Sequence, residues 1–223
     1  MPKLSEKKII NKIKSIDFNA HWYRRVFHVF GASFLFYYML PDSDWINLLK
    51  FWIPPFIVIF AIILEILRIK GKISSKHFFG LRMYEQKRIG SYVFFGVGIL
   101  ILLRFFPQQI AIPCILCACI GDPIIGEVRN RFGNNYVYLF GFFVCMFFFL
   151  VSWYKASVNL MIIVGVVGAI GAIIGETQKI WWLDDDFMIQ ILPGLLLLII
   201  WFAIPDLGFT RPDIIIYPGL MPW

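Results

Sequence analysis

SYVFFGVGILILLRFFPQQIAIPCILCACIGDPIIGEVRNRFG, residues 91–133, decides the fold. It holds two apolar runs, 91–106 and 107–121, separated by Phe105-Phe106-Pro107-Gln108-Gln109. That pentapeptide reads as a short turn, because Pro107 lacks a backbone donor and the two glutamines suit a polar boundary. Two spans here give seven along the chain, whereas one bent span would give six. A helix that crosses a bilayer needs about 20 predominantly apolar residues. Stretches of that kind lie near 26–40, 48–67, 91–106, 107–121, 136–153, 158–175 and 187–204. The expected fold is therefore all-α: one polytopic transmembrane helical bundle of about seven spans, occupying residues 1–223 as a single domain.

Composition agrees with this expectation. Of the 223 residues, 60% are hydrophobic and 18% aromatic, a poor fit to a soluble domain. The net charge of +7 would suit a nucleic-acid partner, but its distribution argues for a bilayer instead. With the amino terminus in the cytoplasm, seven spans put 17 of the 21 Lys and Arg residues on the inner side, leaving Lys50, Arg104, Lys155 and Arg211 outside. That is the positive-inside pattern. Residues 1–25 read as a basic amphipathic segment, with Ile9, Ile10, Ile13 and Ile16 among Lys3 to Lys14, lying on the inner surface rather than serving as a cleaved leader. The proline-bearing stretch 205–223 reads as an external tail. Cys114, Cys117, Cys119 and Cys145 sit in apolar spans without a histidine nearby and are expected to be buried small side chains rather than metal ligands. Gly165, Gly168, Gly171 and Gly175, at spacings of three and four, should let neighbouring helices approach closely.

The remaining charge gathers in clusters, which the seven-span alternation puts on the cytoplasmic side and a six-span one would split. Arg24 and His28 share a helix face with Arg25 beside them. An aromatic and basic belt explains Trp22 to Arg25, but His28 lies one turn deeper, where a polar group is a functional candidate. Glu65 and Arg68 stand at i,i+3 and can simply pair. Arg82, Lys87 and Arg88 lead into Gly90-Ser91 at a helix start, where free backbone donors and cations suit a phosphate; no P-loop string is present. In GDPIIGEVRNRFG (121–133), Asp122 reads as an N-cap with Pro123 first in a short helix that ends at Gly133. Glu127 and Arg131, at i,i+4, can pair; alternatively Asp122 and Glu127 ligate a divalent cation while Arg129 and Arg131 meet phosphate oxygens. Asp184, Asp185 and Asp186 exceed what an N-cap needs and repel one another unless a cation such as Mg2+ neutralises them. Glu176 can add a further ligand. Carboxylates for Mg2+, cations for phosphates and a site at the inner membrane surface fit phosphoryl transfer from a nucleotide to a lipid alcohol.

At these residues the chain resembles the CTP-dependent lipid-alcohol kinases, the group of dolichol kinase, phytol kinase and the CTP-using diacylglycerol kinase. The resemblance runs from about residue 21 to 200 and rests on Arg24-Arg25 with His28 and Gly31, Glu65 with Arg68, Tyr84 to Ser91, GDPIIGEVRNRFG and LDDDF (183–187). In phytol kinase-like members a Lys-Ser/Thr-x-x-Gly-Ser stretch follows the glycine-aspartate motif, whereas here Lys87-Arg88-Ile89-Gly90-Ser91 precedes it. The resemblance implies an integral multi-pass membrane enzyme that transfers the γ-phosphate of CTP to a lipid hydroxyl with Mg2+. Asp122, Glu127, Asp184 and Asp185 would hold the metal. Arg82, Lys87, Arg88, Ser91, Arg129 and Arg131 would contact the nucleotide. Arg25, His28 and Glu65 would meet a polyprenol-like or diacylglycerol-like alcohol. His28, Asp122 and Asp184 form the expected catalytic group, with the general base left between His28 and Asp184. A cytidylyltransferase making a CDP-lipid uses the same ingredients, and a transporter is the non-enzyme alternative. A basic, isoleucine-rich chain points to a prokaryotic cell membrane, with the endoplasmic reticulum left open.

Overall fold

Pro107 does divide the apolar run. In the computed structural model, which describes residues 22–74, 78, 81, 85, 88–177 and 183–213, the third helix stops at Phe105 and the fourth starts at Gln108. Among the described residues seven helical segments follow in order: α1 (22–39, tightening to a 3-10 turn at Ala32–Leu35), α2 (Asp44–Ile69), α3 (Ser91–Phe105), α4 (Gln108–Phe132), α5 (Asn134–Ser152), α6 (Val158–Thr177) and α7 (Asp185–Ala203). No strand occurs among the described residues. Each helix covers one of the seven expected apolar stretches. Four of them, α2, α4, α6 and α7, are long and apolar enough to cross a membrane; α3 and the apolar Tyr136–Ser152 part of α5 are shorter.

One boundary differs from expectation. The fourth apolar stretch does not end at residue 121, and Asp122 does not cap a separate helix. Residues Cys117–Gly121 form a π-turn, Asp122 keeps helical angles (φ −57°, ψ −50°), and its N–H reaches back five residues to the Cys117 carbonyl. The extra residue absorbed by the π-turn lets α4 continue through Pro123 instead of breaking there. The helix ends at Gly133, whose φ of 79° suits glycine. All four cysteines are buried.

α6 is packed between α5 and α7, and its glycines set the spacing. A Cβ at Gly168 would strike the Phe149 ring of α5, and one at Gly175 would lie 2.5 Å from the Met188 carbonyl oxygen of α7. The two faces of one small-residue stripe thus admit a helix each. By contrast α2 packs mainly on α3 and turns Trp45, Trp52, Phe56 and Phe60 outward, a surface suited to lipid. At the end opposite the charged clusters, Gln109 Nε2 donates to the carbonyls of Pro212 (3.0 Å) and Asp213 (3.1 Å), folding the start of the tail onto the bundle. Most of the basic segment (1–21) and residues 214–223 of the tail lie outside the described residues.

Replacing Gly175 by Val should lower stability by about 1–3 kcal/mol through overpacking, read as a drop in thermal midpoint in detergent. Gly126 is helical with open space where a Cβ would stand, so Gly126→Ala should raise that midpoint, by up to about 1 kcal/mol of stability.

Candidate functional site

The charged ends of four helices converge. α1 supplies Arg24, Arg25 and His28, the end of α4 supplies Asp122 to Arg131, α6 ends on Glu176, and α7 opens with Asp184 to Asp186. Between them lies a cavity of about 150 Å3, lined by Arg24, Arg25, His28, Asp122, Gly126, Arg129, Asn130, Glu176 and Asp185 among others. Residues nearly the whole chain apart in sequence meet here: Arg24 donates to Asp186 across 162 positions at 3.2 Å.

His28 is the hub. It is 4% exposed, and its ring rests on Phe95 of α3 with centroids 4.9 Å apart. Gly31 makes room for that phenyl group, which occupies the place of a Cβ. Nδ1 lies 3.3 Å from the Ala118 carbonyl and 3.5 Å from Asp122 Oδ2, while Nε2 faces Asp186 Oδ2 at 3.6 Å. A carbonyl can only accept, so a hydrogen bond to Ala118 is made by the tautomer with its proton on Nδ1. The π-turn explains why that carbonyl is offered: in the register set by Asp122 to Cys117, the next donor would come from residue 123, and residue 123 is proline.

The other charges are paired around this hub. Arg25 meets Glu127 at 2.6 Å, Arg131 also binds Glu127, and Arg129 meets Glu176 at 2.9 Å. Asp184 caps α7 by accepting from the Asp186 N–H at 3.1 Å. Burial, a hydrogen bond with Asp185 and the nearby charges of Asp186 and Asp185 push the Asp184 carboxyl from the ordinary 3.8 up to about 9. Two sets of side chains bring their ligand atoms within 4.8 Å of one another, His28 with Asp122 and Asp186, and Asp184 with Asp185 and Asp186. Asp186 belongs to both.

Several expected site residues lie elsewhere. Glu127 is held by two arginines and joins neither ligand set. Glu65 sits in a second network: Arg68 donates to both its oxygens (2.6 and 2.8 Å), Tyr92 donates at 2.6 Å, and the Gly90 amide donates to Oε1. The Ser91 amide donates to Glu85 at 3.4 Å, and the Arg88 carbonyl accepts from Arg68. The Gly90 and Ser91 donors expected to await a phosphate are therefore engaged by carboxylates of the chain itself. Arg82 and Lys87 lie outside the described residues. Two participants received no role from sequence, the Ala118 carbonyl and Gln190, whose Nε2 donates to the Asp186 carbonyl at 2.6 Å. Pro123 pointed to the first, and a glutamine one turn beyond Asp186 in an apolar helix pointed to the second.

Glu65→Ala should cost about 3–5 kcal/mol of stability by stranding the buried Arg68 guanidinium, read as a lower unfolding midpoint. For Asp184 the linkage has a definite sign. Its folded carboxyl titrates near 9 against 3.8 ordinarily, so its contribution to stability is complete below about pH 4 and is lost as pH rises through 9. A divalent cation bound to these carboxylates would relieve that loss, in which case Mg2+ should raise the thermal midpoint more at pH 8.5 than at pH 6. The chain matches no protein-family model, no curated protein and no solved structure, so the chemistry of the site is read from its own residues.

Proposed function

We propose that this chain is a seven-span membrane kinase that transfers the γ-phosphate of CTP to the hydroxyl of a lipid alcohol at the cytoplasmic face of a prokaryotic cell membrane. The observation that carries the reading is the convergence of guanidinium and carboxylate groups from four helix ends around one cavity. Phosphoryl transfer needs this pairing: cations against the phosphate oxygens, and carboxylates to hold the metal. A seven-span alternation would bring the starts of α1, α3, α5 and α7 and the ends of α2, α4 and α6 to one side, and the positive-inside count supports the cytoplasm as that side. The four longest apolar helices support membrane residence.

The cavity of about 150 Å3 has room for several small groups. That suits a phosphoryl group with its cation, not a whole nucleotide, so the base and ribose of CTP would lie outside it. Asp122, Asp184, Asp185 and Asp186 are the oxygen donors that fit Mg2+. The bound cation would neutralise charge on the β- and γ-phosphates. Arg24, Arg25 and Arg129 line the same space and would meet phosphate oxygens as their carboxylate partners yield. The lipid hydroxyl oxygen forms the new bond to the γ-phosphorus, the bond to the β-bridging oxygen breaks, CDP leaves, and the hydroxyl proton passes to His28 or Asp184. Glu65 and the Gly90-Ser91 amides, already engaged, would brace α2 on α3 instead of touching substrate.

Purified protein in detergent with Mg2+ should transfer label from the CTP γ-phosphate to a member of a panel of polyprenols, phytol, geranylgeraniol and diacylglycerol. Asp122→Asn should lower that rate about 100-fold or more. Formation of a CDP-lipid from a lipid phosphate would replace the kinase with a cytidylyltransferase, and neither product would redirect attention to transport.

A further inference from the structure

We infer that Arg25 is the exchangeable phosphate contact of the cavity and that Arg131 is a positioning residue, which keeps Glu127 paired when Arg25 turns from that carboxylate to a phosphate. The inference deepens the reading of the cavity as a phosphoryl site and rests on it.

The three arginines that line the cavity are not held equally. Arg24 meets Asp186 at 3.2 Å, Arg129 meets Glu176 at 2.9 Å, and both carboxylates are buried. Drawing either guanidinium away leaves a buried carboxylate short of its cation, which is a costly change. Arg25 differs. It meets Glu127 at 2.6 Å, with the two side chains 34% and 35% exposed. An ion pair in contact with water contributes little and is easily given up.

Glu127 also has a second cation. Arg131 stands one turn further along α4, and its Nε donates to Glu127 Oε1, while Arg25 approaches Oε2. The two guanidiniums hold different oxygens of one carboxylate, so one can leave without displacing the other. Arg131 is the one to remain. Glutamate four residues ahead of its cation is the favourable order on a helix, and the last turn of α4, where Arg131 lies, favours positive charge through the helix dipole. Arg131 is largely exposed and does not line the cavity, whereas Arg25 already does. The exchange is a change of side-chain partner that requires no shift of α1.

Charge balance points the same way. Two guanidiniums on the Glu127 carboxylate leave one positive charge in excess, and an arriving phosphate takes up that excess. Arg131 alone then balances Glu127. Without Arg131, Glu127 would compete with the phosphate for Arg25 at full strength.

The test uses inorganic pyrophosphate as its probe. Its binding to full-length protein in detergent is followed by titration calorimetry at fixed Mg2+ and about 0.15 M salt, where charges more than about 8 Å apart are largely screened. Arg25→Ala should weaken binding about tenfold or more. Arg131→Ala should weaken it about two- to fivefold, and Arg131→Lys should restore it. Glu127→Gln should strengthen binding, because Arg25 is released. The deciding variant is Arg131→Ala combined with Glu127→Gln. With no carboxylate left for Arg131 to occupy, the double variant should bind pyrophosphate as Glu127→Gln alone does. Removing these exposed groups strands no buried partner, and an unchanged thermal midpoint confirms that each variant is folded. Equal weakening by Arg131→Ala in both backgrounds would make Arg131 a direct anion contact and overturn the proposal. An affinity left unchanged by Arg25→Ala or by Arg131→Ala alone, or no pyrophosphate binding at all, would overturn it too. CTP turnover is assayed separately: loss of the coupling leaves the kinase reading standing, and absence of turnover leaves the coupling intact.

Discussion

A carboxylate 3% exposed at the head of an apolar helix is the constraint around which this molecule is arranged. Asp186 has to be compensated, and its compensation comes from α1: the Arg24 guanidinium lies at 3.2 Å, and the His28 ring stands beside it at 3.6 Å. Those two contacts tie α1 to α7. His28 in turn lies against α4 through Ala118 and Asp122 and against α3 through Phe95. Gln190, one turn below Asp186, closes the circuit by donating to the Asp186 and Phe95 carbonyls. A single buried charge thus brings four helices to one point, because each residue that stabilises it is itself held by another element.

Two polar networks divide the work at this end of the bundle. The Glu65–Arg68 network is saturated: four donated hydrogen bonds converge on one carboxylate, and the guanidinium spends its remaining capacity on the Glu85 and Arg88 carbonyls. Such a closed set has nothing left for a ligand and braces α2 on α3. The cluster around the cavity is unlike it. Its spacings of 3.5 and 3.6 Å between His28 and the Asp122 and Asp186 carboxylates exceed hydrogen-bond length, and it borders open volume. The contrast in saturation separates brace from site more sharply than charge content does.

The helices were legible in the sequence because each is written as an apolar run bounded by charge, glycine or proline, and Pro107 carried the one difficult boundary. The glycine stripe of α6 was equally legible, since small residues three and four apart in such a run have one main use. The clusters were also visible, and the convergence of Arg24, His28, Asp122 and the Asp184–Asp186 run followed from the alternation of helix ends. Within the clusters, partners were harder to read. Glu127 can pair with Arg131 on its own helix or ligate a metal, and spacing does not choose; the arrival of Arg25 from α1 does. Asp184, Asp185 and Asp186 are chemically identical in sequence, and only the direction of the first turn of α7 makes the third the buried one. The π-turn at Cys117–Gly121 had no signature of its own, so Asp122 followed by Pro123 read as a helix start when the helix was already under way.

The separation of 162 positions between Arg24 and Asp186 also bears on how the molecule is made. α1 carries a guanidinium and an imidazole whose shared partner, Asp186, lies on α7. Until α7 has been synthesised, Arg24 and His28 lack that carboxylate, whereas Arg25 meets Glu127 as soon as α4 is in place. The contacts around the cavity therefore close in two steps, the α1–α4 pair ahead of the α1–α7 pair.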